Sequence, residues 1–163
     1  MPEDNEEKKV PYAVTLATEK DLEKIDTFYN TPDEHKENMR KLQLQQIGNG
    51  KFFVIKSEEE IIGFAFLYFD HQSVHFPRIR GPFVEDFIIN PKFRKMGFGK
   101  MLLDLCEKEI RAREGKELVL IVTIDNREAV HFFVKNDFFE IPETRYAWPP
   151  VQPVNSMYMR KEF

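Results

Sequence analysis

Apolar and polar positions alternate over residues 12–16, and that period predicts a first strand. Thr18, three residues before Asp21, starts a short helix through Tyr29. Thr31-Pro32-Asp33-Glu34 reads as a capping box with proline in the first turn. It opens a second helix that runs to about Ile47 and stops at Gly48 and Gly50. The apolar runs 51–56 and 61–69 flank an acidic turn, 57–60, and predict a hairpin. Residues 70–82 read as a longer connection carrying His71, His75, Arg78 and Arg80. Residues 83–89, β-branched and aromatic, are a strand that Asn90-Pro91 ends, because proline cannot donate to a ladder. Phe98, Leu102, Leu105 or Cys106, and Ile110 then recur at helical spacing, up to Gly115. Residues 118–124 are nearly all apolar, as in a strand covered on both faces. Strand, helix and strand here predict a right-handed parallel unit. Asp125 and Glu128 form a capping box for a helix to about Asn136, and 138–141 and 157–160 are final strands. Between them Trp148-Pro149-Pro150, with Pro153, is a stiff loop.

Composition narrows the classes. The 163 residues suit one domain, 10–163, behind a charged tail, 1–9, expected to be mobile. A net charge of −4 argues against a nucleic-acid partner and weakly suits a cationic one. The single cysteine excludes an internal disulfide and suggests a reducing compartment; in its apolar stripe Cys106 reads as packing. No signal peptide is visible, and the longest apolar run, 61–69, is far short of the roughly 20 residues that span a bilayer. The expectation is a soluble, cytoplasmic protein with no membrane partner. His71 and His75 lack carboxylate or cysteine company, so no metal is expected.

The chemistry concentrates after residue 89. Gly97 and Gly99 flank one residue at the start of a helix, whose first amides have no partner inside the helix. With Arg94, Lys95 and Lys100 around them, they suit a pyrophosphate. A Walker A loop would need glycine where Arg94 stands and Ser or Thr where Met101 stands; a dinucleotide fingerprint would need a third glycine. The pattern Arg94-x-x-Gly97-x-Gly99 instead resembles the acetyl-CoA loop of the GNAT superfamily of N-acetyltransferases. Asn126-Arg127-Glu128-Ala129, the Phe132-Phe133 pair and Asp137-Phe138 extend the resemblance over nearly the whole chain. It implies a mixed α/β (α+β) GNAT fold: a central, mostly antiparallel twisted sheet with one parallel strand–helix–strand unit, flanked by helices. It also implies acetyl-CoA as co-substrate. On that resemblance, backbone groups of Phe87, Ile88 and Ile89 meet the pantetheine arm. Lys95, Met96, Gly97, Phe98, Gly99 and Lys100 cradle the pyrophosphate, with Arg94 as charge partner. Asn126 bonds the cofactor or caps its helix, and Ala129 and Phe133 complete the cofactor side.

Val84-Glu85-Asp86-Phe87 resembles the diamine and polyamine (spermidine/spermine) branch. Glu85 is the first choice, and Asp86 the second, for holding an ammonium and taking its proton. In a regular strand the two side chains point to opposite faces, which a bulge would relax; on the residues alone they read as solvated strand-end charges. Phe28 and Tyr29 join Glu85 on the substrate side. Phe133 stands where such enzymes commonly carry a tyrosine near the CoA sulfur, and it has no proton to give. His131 lies about 200° round the helix. Tyr29, Tyr68, Tyr146, Tyr158 and water stay open as donors. The resulting expectation is acetyl transfer from acetyl-CoA to a primary amine, a di- or polyamine or aminoalkyl compound, by direct attack in a ternary complex. The alternatives are a protein N-terminus, a lysine, an aminoglycoside, or an acyl-CoA-binding module with little catalysis. A homodimer is expected from the family.

Overall fold

The computed structural model describes residues 10–163; the tail expected over 1–9 lies outside the described residues. The strands are β1 (Ala13–Leu16), β2 (Gly50–Lys56), β3 (Ile61–Gln72), β4 (Arg80–Ile89), β5 (Glu117–Thr123), β6 (Phe139–Glu140) and β7 (Ser156–Glu162). The helices are α1 (Glu19–Asp26), α2 (Asp33–Gln46), α3 (Phe98–Ala112) and α4 (Arg127–Lys135), with a 3-10 turn at Pro91–Phe93. The strands form one sheet in the order β1-β2-β3-β4-β5-β7-β6, antiparallel throughout except for the β4–β5 pair. That parallel pair brackets α3, as the strand–helix–strand reading requires.

Alternation along the strands supplies two cores. Phe53, Ile55, Leu67, Val84, Leu118 and Leu120 face α3 and α4. Phe52, Val54, Phe64, Phe66, Phe83 and Val119 face α1 and α2. The inner stripe of α2 is unusual, since Asn38, Lys41 and Leu42 are all buried there. Gln45 extends the polar part: it donates to the Ala17 carbonyl (3.0 Å) and accepts from the Phe52 amide (2.7 Å).

Several local expectations need correction. The connection expected over 70–82 shrinks at both ends, because His71 pairs with Gly81 and Gln72 with Arg80. Thr31 does not cap α2; Pro32 takes that position without a side-chain bond, its φ already helical at −67°. For α4 the cap is Asn126, not Asp125, with Asn126 Oδ1 accepting from the Ala129 amide at 3.2 Å. Thr18 and Asp21 do engage, the Thr18 amide donating to Asp21 Oδ2 at 2.9 Å.

Gly115 follows α3, but the left-handed residue there is Glu114, at φ 62°. Gly115 is needed for space: a Cβ on it would come within 2.3 Å of Ile110 Cγ2. The two neighbours should therefore respond with opposite signs. Glu114→Gly should stabilise the protein by about 1 kcal/mol, relieving a left-handed non-glycine residue. Gly115→Ala should destabilise it by about 1–3 kcal/mol through overpacking. Urea unfolding of the two variants checks both signs.

Candidate active site

Two bulges shape the middle of the sheet. Phe66 pairs with Glu85 and Phe64 with Ile88, so three steps along β4 oppose two along β3. The extra residue falls at Asp86, whose φ of 56° is left-handed, a conformation aspartate tolerates better than most residues. The alternation of β4 shifts there. Phe83 and Ile88 pack with the α1–α2 core, while Val84, Phe87 and Ile89 pack with the α3–α4 core. Glu85 and Asp86, neighbours in sequence, consequently line the same cavity. A second shift, between Tyr68–Phe83 and His71–Gly81, inserts a residue into β3. It brings His71 beside Tyr68, ring centres 4.9 Å apart, and is matched by Gly81 at φ 139°.

Helix α2 sends two cations to the two carboxylates. Lys41, 1% exposed, pairs through Nζ with Asp86 and also donates to Asn38 Oδ1 at 3.3 Å. Arg40 donates to the Tyr68 hydroxyl (2.8 Å), which in turn donates to Glu85 Oε2 (2.5 Å). Glu85 Oε1 has no hydrogen-bond partner among the described residues. Burial, and after it the Glu85 charge, hold the Tyr68 phenol above its usual range, so it stays a donor. Burial pushes the His71 imidazole down, partly offset by Glu85. Phe28 and Tyr29 do not line this cavity; both pack on Phe64, at 5.3 and 6.1 Å between ring centres. The buried Tyr29 hydroxyl has no hydrogen-bond partner among the described residues, and burial and the Asp86 charge raise its pKa.

On the opposite side of β4 lies the glycine loop. The β4–β5 ladder holds only Phe83–Val119 and Val84–Leu120, whereas β3 follows β4 to Ile89 and β7 follows β5 to Thr123. Beyond Val84 the sheet therefore divides, and the β5-facing edge of Phe87, Ile88 and Ile89 is left without a strand. Next to that gap α3 begins. Gly97 caps it at φ 88°, with open space where a Cβ would stand. The first amide to bond back along the helix is Met101, to Gly97 O at 3.1 Å, so the amides of Phe98, Gly99 and Lys100 precede the ladder. Lys95, left-handed at φ 62°, and Met96 are exposed, and Arg94 Nε donates to the Ile89 carbonyl at 3.3 Å.

Other side chains sit differently from the expectation. The Lys100 ammonium is tied to Asp104 at 2.6 Å. The Phe98 ring is buried, and only its backbone faces the loop. Phe133 is 5% exposed and packed against Phe87, Phe132 and Phe138, within the α3–α4 core. Phe132, which the sequence reading left without a role, stands at the loop, 3.3 Å from where a Gly99 Cβ would be. Ala129 is half-buried behind Asn126, and His131 is exposed. Cys106 is fully buried, its thiol pushed up to about 12 by that burial. Among the described residues no group of three or more His, Cys, Asp or Glu could hold a metal, and no helix is long and apolar enough to cross a membrane. Lys41 and the second bulge had no signal in the sequence, and the bulge in β4 was expected only through the family resemblance.

The family model described as "Acetyltransferase (GNAT) family" matches residues 19–138. No curated protein sequence matches the chain. An N-acetyltransferase from Staphylococcus aureus Mu50 superposes with a TM-score of 0.73 at 15% identity, covering 93% of this chain and 98% of that one. A ribosomal-protein-alanine N-acetyltransferase from Brucella melitensis gives 0.72 at 17% identity, covering 93% and 99%. A provisionally named streptothricin acetyltransferase from Bacillus anthracis, in complex with acetyl coenzyme A, gives 0.58 at 19% identity, covering 71% of this chain and 63% of that one. At such identities these likenesses show the fold.

Lys41→Met removes one member of a buried pair and leaves the Asp86 charge behind. The variant should lose about 3–5 kcal/mol of stability in urea unfolding. A double variant, Lys41→Met with Asp86→Asn, should recover part of that loss.

Proposed function

The chain belongs to the acetyltransferase (GNAT) family, whose model matches residues 19–138, and on that premise we propose that it transfers an acetyl group from acetyl-CoA to a primary amine held at Glu85. The observation that carries this reading is the bulge at Asp86. It brings Asp86, with its Lys41 partner, to the face of Glu85, whose carboxylate has one oxygen unbonded, in a cavity at the place where β4 and β5 part.

This chain's residues fit the co-substrate. Three amides at the start of α3, the open space at Gly97 and the cations Arg94 and Lys95 suit a diphosphate. The freed edge of β4 at Phe87, Ile88 and Ile89 offers backbone groups to an extended, amide-bearing chain, as a sheet edge does to an added strand. Acetyl-CoA supplies a thioester whose carbonyl carbon takes the amine nitrogen as the carbon–sulfur bond breaks; the leaving thiolate takes up, directly or through water, the second proton that the nitrogen sheds on becoming an amide. Glu85 holds the ammonium at Oε1 and accepts its proton, freeing the nitrogen lone pair. Tyr68 and Arg40 position Glu85 through Oε2.

The Glu85–Asp86 pair carries the likeness to diamine and polyamine acetyltransferases. However, Lys41 pairs with Asp86, and Arg40, bonded to the Tyr68 hydroxyl, lines the cavity. Of the two carboxylates in the cavity, Glu85 is the one with no cation paired to it among the described residues, so the acceptor we put forward presents one ammonium there. The single, fully buried cysteine suits a reducing cytoplasm, which belongs to the same proposal. A homodimer rests on the family resemblance alone.

Glu85→Gln should lower kcat by ~10²–10⁴-fold, measured as CoA thiol release with a saturating amine, while acetyl-CoA binding by calorimetry stays intact. Turnover at the parent level would remove Glu85 from the role. Gly97→Val should abolish acetyl-CoA binding, since valine is strained at φ 88° and would stand before the amides.

A further inference from the structure

The cavity in front of Glu85 is walled by rings. Starting at Tyr68, His71 lies 4.9 Å away, and Phe83 4.8 Å beyond it. Phe83 faces Tyr158 at 6.4 Å, and Tyr158 faces Tyr146 at 5.8 Å. His75 stacks on Tyr146 at 4.3 Å and 26°, and Trp148 meets the edge of His75 at 5.7 Å. Every ring in this arc lines the same cavity, of about 370 Å³. That volume lies at the lower end of the ~300–1,000 Å³ typical of small-molecule sites.

The arc is only partly covered. Its inner members are held firmly: Tyr158 is 2% exposed and shares a 2.6 Å hydrogen bond with Ser73. Its outer members are not, for Trp148 is 58% and neighbouring Val74 85% exposed. Aromatic and apolar surface stands open to water at Trp148 and Val74, in the same cavity as the Glu85 carboxylate.

We propose that the acceptor is an arylalkylamine: a primary amine on a short chain that ends in an aromatic ring. This rests on the amine-acetyltransferase reading above. The ammonium sits at Glu85 Oε1, and the ring lies among Tyr146, His75 and Trp148, covering surface that is otherwise wet. Aromatic walls can also hold cations. Here, though, Arg40 lines the cavity with its charge on the Tyr68 hydroxyl, and Lys41 neutralises Asp86. A second ammonium further along the acceptor meets the Arg40 charge and finds no second unpaired carboxylate lining the cavity. A neutral aromatic body meets matching surface.

The test compares phenethylamine, n-propylamine and spermidine as acceptors for the full-length protein with acetyl-CoA. Phenethylamine should exceed both others in kcat/KM by at least ~10-fold, within the 10–200-fold that apolar pockets discriminate. In Trp148→Ala the ratio of phenethylamine to propylamine should fall ~10-fold. A second readout is independent of turnover. Trp148 is the only tryptophan, so its emission should change saturably with phenethylamine in the parent protein without acetyl-CoA and stay flat with spermidine. Spermidine as the best acceptor, or an unchanged selectivity ratio in Trp148→Ala, overturns the arylalkylamine assignment and leaves the amine-acetyltransferase reading standing. No thiol release with any amine overturns both.

Discussion

The structure depends most on how one extra residue is held in β4. An inserted residue in a strand leaves backbone groups out of register and turns the following side chains to the other face. In this chain the insertion is Asp86, in a left-handed conformation that costs a non-glycine residue free energy. The ion pair with Lys41 offsets that cost, drawing the Asp86 side chain toward α2. From Lys41 the polar contacts continue through Asn38 to Asp26, which also binds the exposed His35 at 2.5 Å. Helices α1 and α2 are thus tied to each other and to the bulge by hydrogen bonds, in a region where most of the packing is phenylalanine. Buried polar groups are costly when unpaired, so this arrangement penalises any other register of β4.

The bulge also sorts the two halves of the site onto the two faces of the sheet. After it, Phe87 and Ile89 point to the α3–α4 side, where Gly97 and the free amides of α3 lie. Before it, Glu85 points to the α1–α2 side with Tyr68 and Phe83. The same strand ends its ladder with β5 at Val84, immediately before the bulge. Two ligands approaching from opposite faces can therefore meet only at the gap, beside Glu85. The sheet is otherwise continuous, and its own hydrogen bonds keep the two approaches apart everywhere else.

Much of this was legible in the sequence, because the physics involved is local. Element order followed from apolar period and from Asn90-Pro91 and Gly48. The loop followed from Gly97 and Gly99, whose reasons differ in the structure: backbone conformation at the first, contact with Phe132 at the second. What stayed hidden was tertiary. Lys41 sits in a helix rich in charge, and nothing local distinguishes a buried lysine from a solvated one. The bulges arise from pairing between strands, so Gly81 carried no signal that could be read without the partner, and the bulge at Asp86 was suggested by the family resemblance rather than by its residues. Phe132 and Phe133 are adjacent aromatics, and which of them reaches the loop is settled by the docking of α4. The aromatic arc draws on separate segments, β3, the following turn, β4, and the 142–155 loop with β7, that no sequence window brings together.

The buried lysine further distinguishes two neighbouring carboxylates, pairing with Asp86 and not with Glu85. Glu85 and Asp86 on one face of a half-buried cavity repel each other, and an arriving ammonium would be shared between them. With Lys41 beside Asp86 the charges divide into an internal pair, whose function is to hold the bulge, and a single outward carboxylate. Tyr68 and Arg40 then fix that carboxylate by one oxygen and leave the other open. The cations on α2 could have been read as repelling a positively charged acceptor. Their placement has a different effect: each is engaged by a partner, Lys41 by Asp86 and Arg40 by the Tyr68 hydroxyl, which leaves Glu85 as the carboxylate in the cavity without a paired cation among the described residues. Aromatic rings line much of the rest of that cavity.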